Sequence, residues 1–115
     1  MLEKLLHEIK RRCGAEGAAV IGRDGLVISA EMPPGVMVET FSIMCATILG
    51  GAVTANSELR FSTMERVVVE ATDGKLVMAG AGSKAILAVA VKPPYELNTV
   101  YSTVKQGAEK ISQIL

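Results

Sequence analysis

An α+β domain of element order αββαβββα, a single α/β/α sandwich whose five-stranded antiparallel sheet carries helices on both faces, is what this 115-residue sequence predicts. Three observations carry that expectation. Amphipathic helical repeats open and close the chain, two strand-like stretches each fold about an Asp-Gly turn, and a long segment with almost no charge separates the two hairpins. Helices with one apolar stripe must bury it, and a sheet between helix layers is the stable way to do so. No linker or low-complexity stretch interrupts the pattern, so residues 1–115 read as one domain.

The first element is a helix of about three turns, because Leu2, Leu5, Leu6, Ile9 and Cys13 recur at helical spacing. Lys10, Arg11 and Arg12 in its last turn offset the helix dipole, and Gly14 stops it. GAAVIG and LVISAE then flank Arg23-Asp24-Gly25, where the glycine supplies the positive φ of a tight turn. Met32-Pro33-Pro34-Gly35 breaks the chain before the long apolar segment. MERVVVEA and KLVMAGAG flank a second such turn at Thr72-Asp73-Gly74. Gly82-Ser83-Lys84 leads into AILAVAVK, whose unbroken apolar run predicts a central strand buried on both faces. Pro93-Pro94 ends it, and Leu97, Val100, Tyr101, Val104, Ala108, Ile111 and Leu115 form a closing amphipathic helix with Asn98 as its predicted N-cap.

The central segment, Met37 to Ser57, carries a single charge, Glu39. Wound as a helix, Val38, Phe41, Cys45, Ile48, Leu49, Ala52 and Val53 share one side, a stripe suited to the sheet. The other side reads Thr40, Ile43, Met44, Thr47, Gly50, Gly51 and Thr54. That second side has little bulk and no charge, so it predicts contact with another helix rather than with water. A chain this short has no spare helix to offer, and a second copy is the economical source. The expectation is a dimer.

Composition narrows the function. Apolar residues make up 50% of the chain and aromatics only 3%, so the core is aliphatic. Twelve Lys and Arg balance twelve Asp and Glu, which argues against the concentrated positive field a nucleic-acid binder needs. The N-terminus interleaves charges with its leucines and does not resemble a signal peptide. Thr40 to Ala55 is uncharged but, at sixteen residues diluted by Gly and Thr, is short for a membrane span of about twenty. A cytoplasmic protein without membrane insertion is expected. Cys13 and Cys45 lie far apart on apolar helix faces and read as small buried hydrophobes, not as a metal set.

Catalytic chemistry finds no obvious seat. His7 is the only histidine and falls among Glu3, Lys4 and Arg11 on the polar side of the first helix. Asp24 and Asp73 are explained by turns, and no Ser or Cys stands in a nucleophile-elbow pattern. Gly80-Ala81-Gly82-Ser83-Lys84-Ala85 matches GxGxxA, but a phosphate-binding loop requires a helix immediately afterwards. The β-branched run that follows predicts strand, turn, strand instead. Catalytic residues, metal and cofactor are therefore expected to be absent.

The element order, the length, and the motifs GRDGLVIS, ATDGKLVMAGAG and AILAVAV together resemble the roadblock family, which includes the roadblock dynein light chains and MglB-type regulators of small GTPases. The resemblance covers residues 2 to 115. It implies a non-enzymatic homodimer, or a heterodimer with a roadblock paralogue, that binds and regulates a small Ras-like GTPase. It implies central helices packed antiparallel across the dyad and a third strand, through Val67, Val68 and Val69, that pairs with its copy. Glu39, Ser42 and Ala46 fall on one border of the central helix and are the candidate partner contacts. The competing reading is a small-molecule sensor domain of PAS-like or profilin-like shape. It is disfavoured by an interior with few polar groups to hold a ligand.

Overall fold

The computed structural model describes residues Met1–Leu115. Helix α1 (Leu2–Cys13) is followed by strands β1 (Gly17–Gly22) and β2 (Val27–Glu31) and helix α2 (Val38–Glu58). Strands β3 (Val67–Ala71), β4 (Gly74–Ala81) and β5 (Ala85–Val91) then lead to helix α3 (Leu97–Ile114). This is the predicted order. The five strands form one antiparallel sheet in the order β2-β1-β5-β4-β3, so β5 is central, as its apolar run requires, and β2 and β3 are the edges.

Strand alternation divides the interior into two unequal cores. On one face Ala18 and Val20 of β1, Val77 and Ala79 of β4, and Leu87 and Val89 of β5 meet Leu6 and Ile9 of α1 and Val100, Val104 and Ile111 of α3. Sixteen buried residues make up this cluster. Gly107 lets α3 settle there, since a Cβ at that position would stand 2.6 Å from Cδ1 of Ile9. On the other face Ala19, Ile21, Met78, Ile86 and Ala88 meet Cys45 and Leu49 of α2 in a buried cluster of seven, with Phe41 and Ala46 of α2 half-buried against it. One helix covers what two helices cover opposite.

The turns follow sequence logic with two corrections. Gly25 has φ 89°, and Oδ1 of Asp24 accepts a hydrogen bond from the Leu26 amide at 3.0 Å, as an Asp-Gly turn should. In the second hairpin Ala71 pairs directly with Gly74, so the loop is Thr72-Asp73 and Gly74 begins the strand without a positive φ. Its glycine serves close approach instead: a Cβ there would lie 2.8 Å from the carbonyl oxygen of Val91. The N-cap of α3 is Glu96, not Asn98. The Glu96 carboxylate accepts from the amides of Asn98 at 2.9 Å and Thr99 at 3.1 Å, so Asn98 lies inside the first turn.

Those amide hydrogen bonds, first that of Asn98, hold the Glu96 carboxyl below its ordinary pKa. A lowered folded-state value means the cap's contribution is complete above the unfolded-state carboxylate range and is lost as pH falls through the folded value. Glu96→Ala is therefore expected to lower the melting temperature at pH 7. The gap from wild type should close in acid, and thermal scans across pH 3 to 7 (roughly the carboxylate range) check it.

Candidate functional site

Helix α2 buries Ser42, Cys45 and Leu49 and leaves most of its remaining surface open. The sequence puts Ile48 and Val53 on the sheet side, yet they are 39% and 40% exposed. Ser42, assigned from sequence to an exposed border, is 0% exposed, and Ala46 is half-buried against the second core. The buried arc runs through 42, 45 and 49. A helix apolar on every side carries no polar stripe to fix its rotation, and the sequence reading accordingly finds Cys45 and Leu49 but misplaces the edges of the arc.

Every member of the predicted small-residue side, Thr40, Ile43, Met44, Thr47, Gly50, Gly51 and Thr54, is exposed within the single chain. The hydroxyl of Thr47 donates to the Ile43 carbonyl at 2.9 Å and that of Thr54 to the Gly50 carbonyl at 3.2 Å. The polar atoms of these threonines are thus satisfied inside the helix. A Cβ added at Gly50 or Gly51 would meet nothing within 4 Å. Glycine in a helix interior costs about 1 kcal/mol relative to alanine, and nothing inside this chain asks for either one.

Helix α2 is also 21 residues long and apolar enough, by length and composition, to cross a membrane. The sixteen-residue uncharged run underestimates it because Val38, Glu39 and the Asn56–Glu58 turn extend the helix. Here it lies on the sheet. Beside it, β3 leaves one row of backbone hydrogen-bonding groups unpaired. Val67 packs with the α2-side core and Val68 with the opposite one, and Val69, on the side of Val67, is 42% exposed.

The remaining chemistry-bearing residues are held apart. Nδ1 of His7 lies 3.1 Å from Oε1 of Glu31, whose other neighbour is the Lys10 ammonium at 3.7 Å. Sequence reasoning offered His7 no such partner, because Glu31 comes from β2. Burial pushes the Cys45 thiol up to about 11 and raises that of Cys13 as well, so neither is poised as a thiolate. Gly82 to Lys84 form the turn between β4 and β5 with no helix after it, as predicted. Arg23 crosses this turn, donating from Nη2 to the Gly82 carbonyl at 2.8 Å, and a Cβ at Gly80 would stand 2.6 Å from that nitrogen. Gly80 thus makes room for an arginine of the same chain, while Gly82 takes the positive φ of the turn, 73°. An open cavity of about 600 Å³ lies nearby, lined by Arg23, Leu49, Asn56, Phe61, Met64 and Gly82 among others. Sequence reasoning missed it because a loop folding back beneath the end of α2 creates it.

Comparison with known proteins matches this fold throughout. Residues 1–90 match the model of the Roadblock/LC7 domain. An uncharacterized protein of Methanocaldococcus jannaschii, MJ0714, is 34% identical over 111 residues, covering 96% of this chain and 93% of the relative. The gliding protein MglB of Thermus thermophilus superposes with a TM-score of 0.90 at 21% identity, covering 98% of this chain and 87% of that one. Myxococcus xanthus MglB superposes with a TM-score of 0.92 at 14% identity, covering 98% and 93%. The chain belongs to the Roadblock/LC7 domain family.

Proposed function

We propose that this protein is a non-enzymatic homodimer, cytoplasmic and not inserted in a membrane, that binds and regulates a small Ras-like GTPase. One observation carries the reading: α2 displays an uncovered apolar surface with two glycines that the single chain does not need. Membership of the roadblock family and the likeness of fold to MglB support the regulatory role. A paralogue with the same surface would serve as the second subunit equally well.

The dimer has a definite geometry on this reading. A Cβ at Gly25, in the first hairpin, would lie 3.3 Å from Cα of Ile43, so the flank of α2 bearing Ile43 leans toward β1 and β2. The opposite flank carries Met37, Phe41, Met44, Ile48, Gly51 and Ala55, at steps alternating between four and three residues, and faces the β3 edge. Its N-terminal half is bulky and its C-terminal half small. Antiparallel packing about Ile48 sets Phe41 against the partner copy's small half near Ala55, and Met44 near Gly51. Parallel packing would set bulk against bulk and glycine against glycine. A two-fold axis across the helices satisfies the self-complementarity a symmetric dimer requires. It also lets β3, through Val67 to Val69, pair with its copy and close an open edge.

Met44 and Gly51 of the predicted interface lie on this seam. Thr40, Thr47 and Thr54 border it, and with Ile43 and Gly50 they form a shared surface facing away from the sheets, available to a GTPase. Exposed Glu39 remains a partner contact on this reading, whereas buried Ser42 is withdrawn and half-buried Ala46 contributes at most its rim.

Gly51→Leu is expected to collide with the copy's Met44 and weaken association by about 1–3 kcal/mol. Sedimentation at low micromolar concentration checks it, and an unchanged dimer mass counts against the seam. A wild-type chain that sediments as a monomer across that range, alone and with its paralogues, overturns the dimer itself. Glu39→Arg is expected to reduce binding to the cognate GTPase, measured by calorimetry, while dimer mass and melting temperature stay near those of the wild type.

A further inference from the structure

The end of α2 is built against the usual rule. Leu59 is the C-cap, and the next residue closes the helix in the left-handed conformation, with its amide donating to the Ser57 carbonyl at 2.9 Å and the Phe61 amide to the Asn56 carbonyl at 3.3 Å. Glycine is the residue that fits such a position without strain. Here it is Arg60, with φ 59°, the only residue other than glycine in this chain with a positive φ. The side chain of Asn56 donates to the Ser62 carbonyl at 2.8 Å and fixes the turn that holds it.

Nothing within the chain compensates for that strain. The Arg60 guanidinium makes no ion pair and no hydrogen bond, although Glu58 and Glu65 lie close in sequence. Its neighbours Leu59 and Phe61 are 63% and 66% exposed. In this type of helix ending the residue at the Phe61 position commonly packs back on the last turn. Two large apolar side chains instead flank an unpaired cation at the tip of a rigid turn. In the proposed dimer the α2 helix of the second copy does not offer the missing anion. With α2 helices antiparallel about Ile48, Arg60 lies opposite Val36 of the copy, and Glu39, the one acid in the first turns of that helix, sits on the flank turned away from the seam.

We infer that Leu59, Arg60 and Phe61 form a contact element for the GTPase, with Arg60 engaging a carboxylate on its surface and Phe61 an apolar patch beside it. Arginine and aromatic side chains are the types that dominate binding energy at protein interfaces, and a guanidinium pairs with a carboxylate in a fixed two-pronged geometry. The strain at Arg60 is retained because the side chain acts outside its own chain. The inference rests on the GTPase-regulator reading and extends it to a second surface, away from the shared face of the two helices.

The test exploits an opposition that a purely structural role would not produce. Arg60→Gly relieves the backbone, so its melting temperature should rise, its dimer mass should stay unchanged, and its affinity for the GTPase should fall at least about tenfold. Phe61→Ala should weaken binding in the same assay, and Arg60→Lys should restore it only in part. The probes are the Ras-like GTPases of the source genome, purified and loaded with GDP or a non-hydrolysable GTP analogue, with anionic phosphatidylglycerol vesicles in parallel. Full affinity in Arg60→Gly, with the wild type binding, overturns this element and leaves the regulator reading standing. A wild-type protein that binds none of the GTPases overturns both. Vesicle binding that depends on Arg60 while GTPase binding does not would reassign the element to a membrane surface and overturn the inference.

Discussion

Unequal burial on the two faces of one sheet governs this molecule. Helices α1 and α3 share the first face and close sixteen residues into a continuous core, whereas α2 alone meets the second and buries seven with help from the sheet. At about 25 cal/mol per Å² of apolar surface removed from water, the second face leaves a large stabilising term unrealised while Ile43, Met44, Ile48 and Val53 stay 39–49% exposed. Among the helices only α2 lies over that face. The proposed dimer would realise that term.

The same constraint accounts for the composition of α2. In the proposed dimer bulk is permitted where the partner helix leaves a hole and excluded where two backbones approach. Met37 and Met44, both exposed, precede Ile48, and Gly51 and Ala55 follow it, whereas Phe41 is half-buried against the chain's own second core. The threonines reconcile two environments: hydroxyls bonded to the helix backbone satisfy their polar atoms, and the surface stays tolerable in water until it is covered. A surface of this kind discriminates by shape more than by charge, which suits pairing with either an identical chain or a close paralogue.

The fold was legible because its cues are local. Gly14, Asp24-Gly25 and the Pro93-Pro94 pair each act within a few residues, and the apolar run Ala85 to Val91 states its central position by having no polar face. Errors arose where two solutions are locally equivalent. Asn98 and Glu96 can both receive amides at the start of α3, and the longer carboxylate reached two of them. Hydrophobicity alone gives a uniformly apolar helix no phase, so the sequence pattern of α2 puts Ser42 outside and Ile48 inside, the reverse of their burial. The His7–Glu31 pair, the Arg23 bridge to Gly82 and the cavity lined in part by residues 61–65 are illegible for a different reason: each joins elements distant in sequence.

Arg60 belongs to a separate class, because the sequence contained the signal and only the backbone gave it meaning. An arginine near a helix end reads as favourable electrostatics with the dipole, and its energetic cost appears only once φ is seen to be positive. The same holds in reverse for Gly50 and Gly51, where glycine sits in ordinary helical backbone that alanine would improve. One site carries a side chain where backbone geometry favours none, and the other lacks side chains where geometry would welcome them. In both the residue chosen is the wrong one for the isolated chain, one on the exposed side of α2 and the other at the turn that ends it. Local rules broken in opposite directions at two exposed places on one element are reconciled when each place is selected for what it meets.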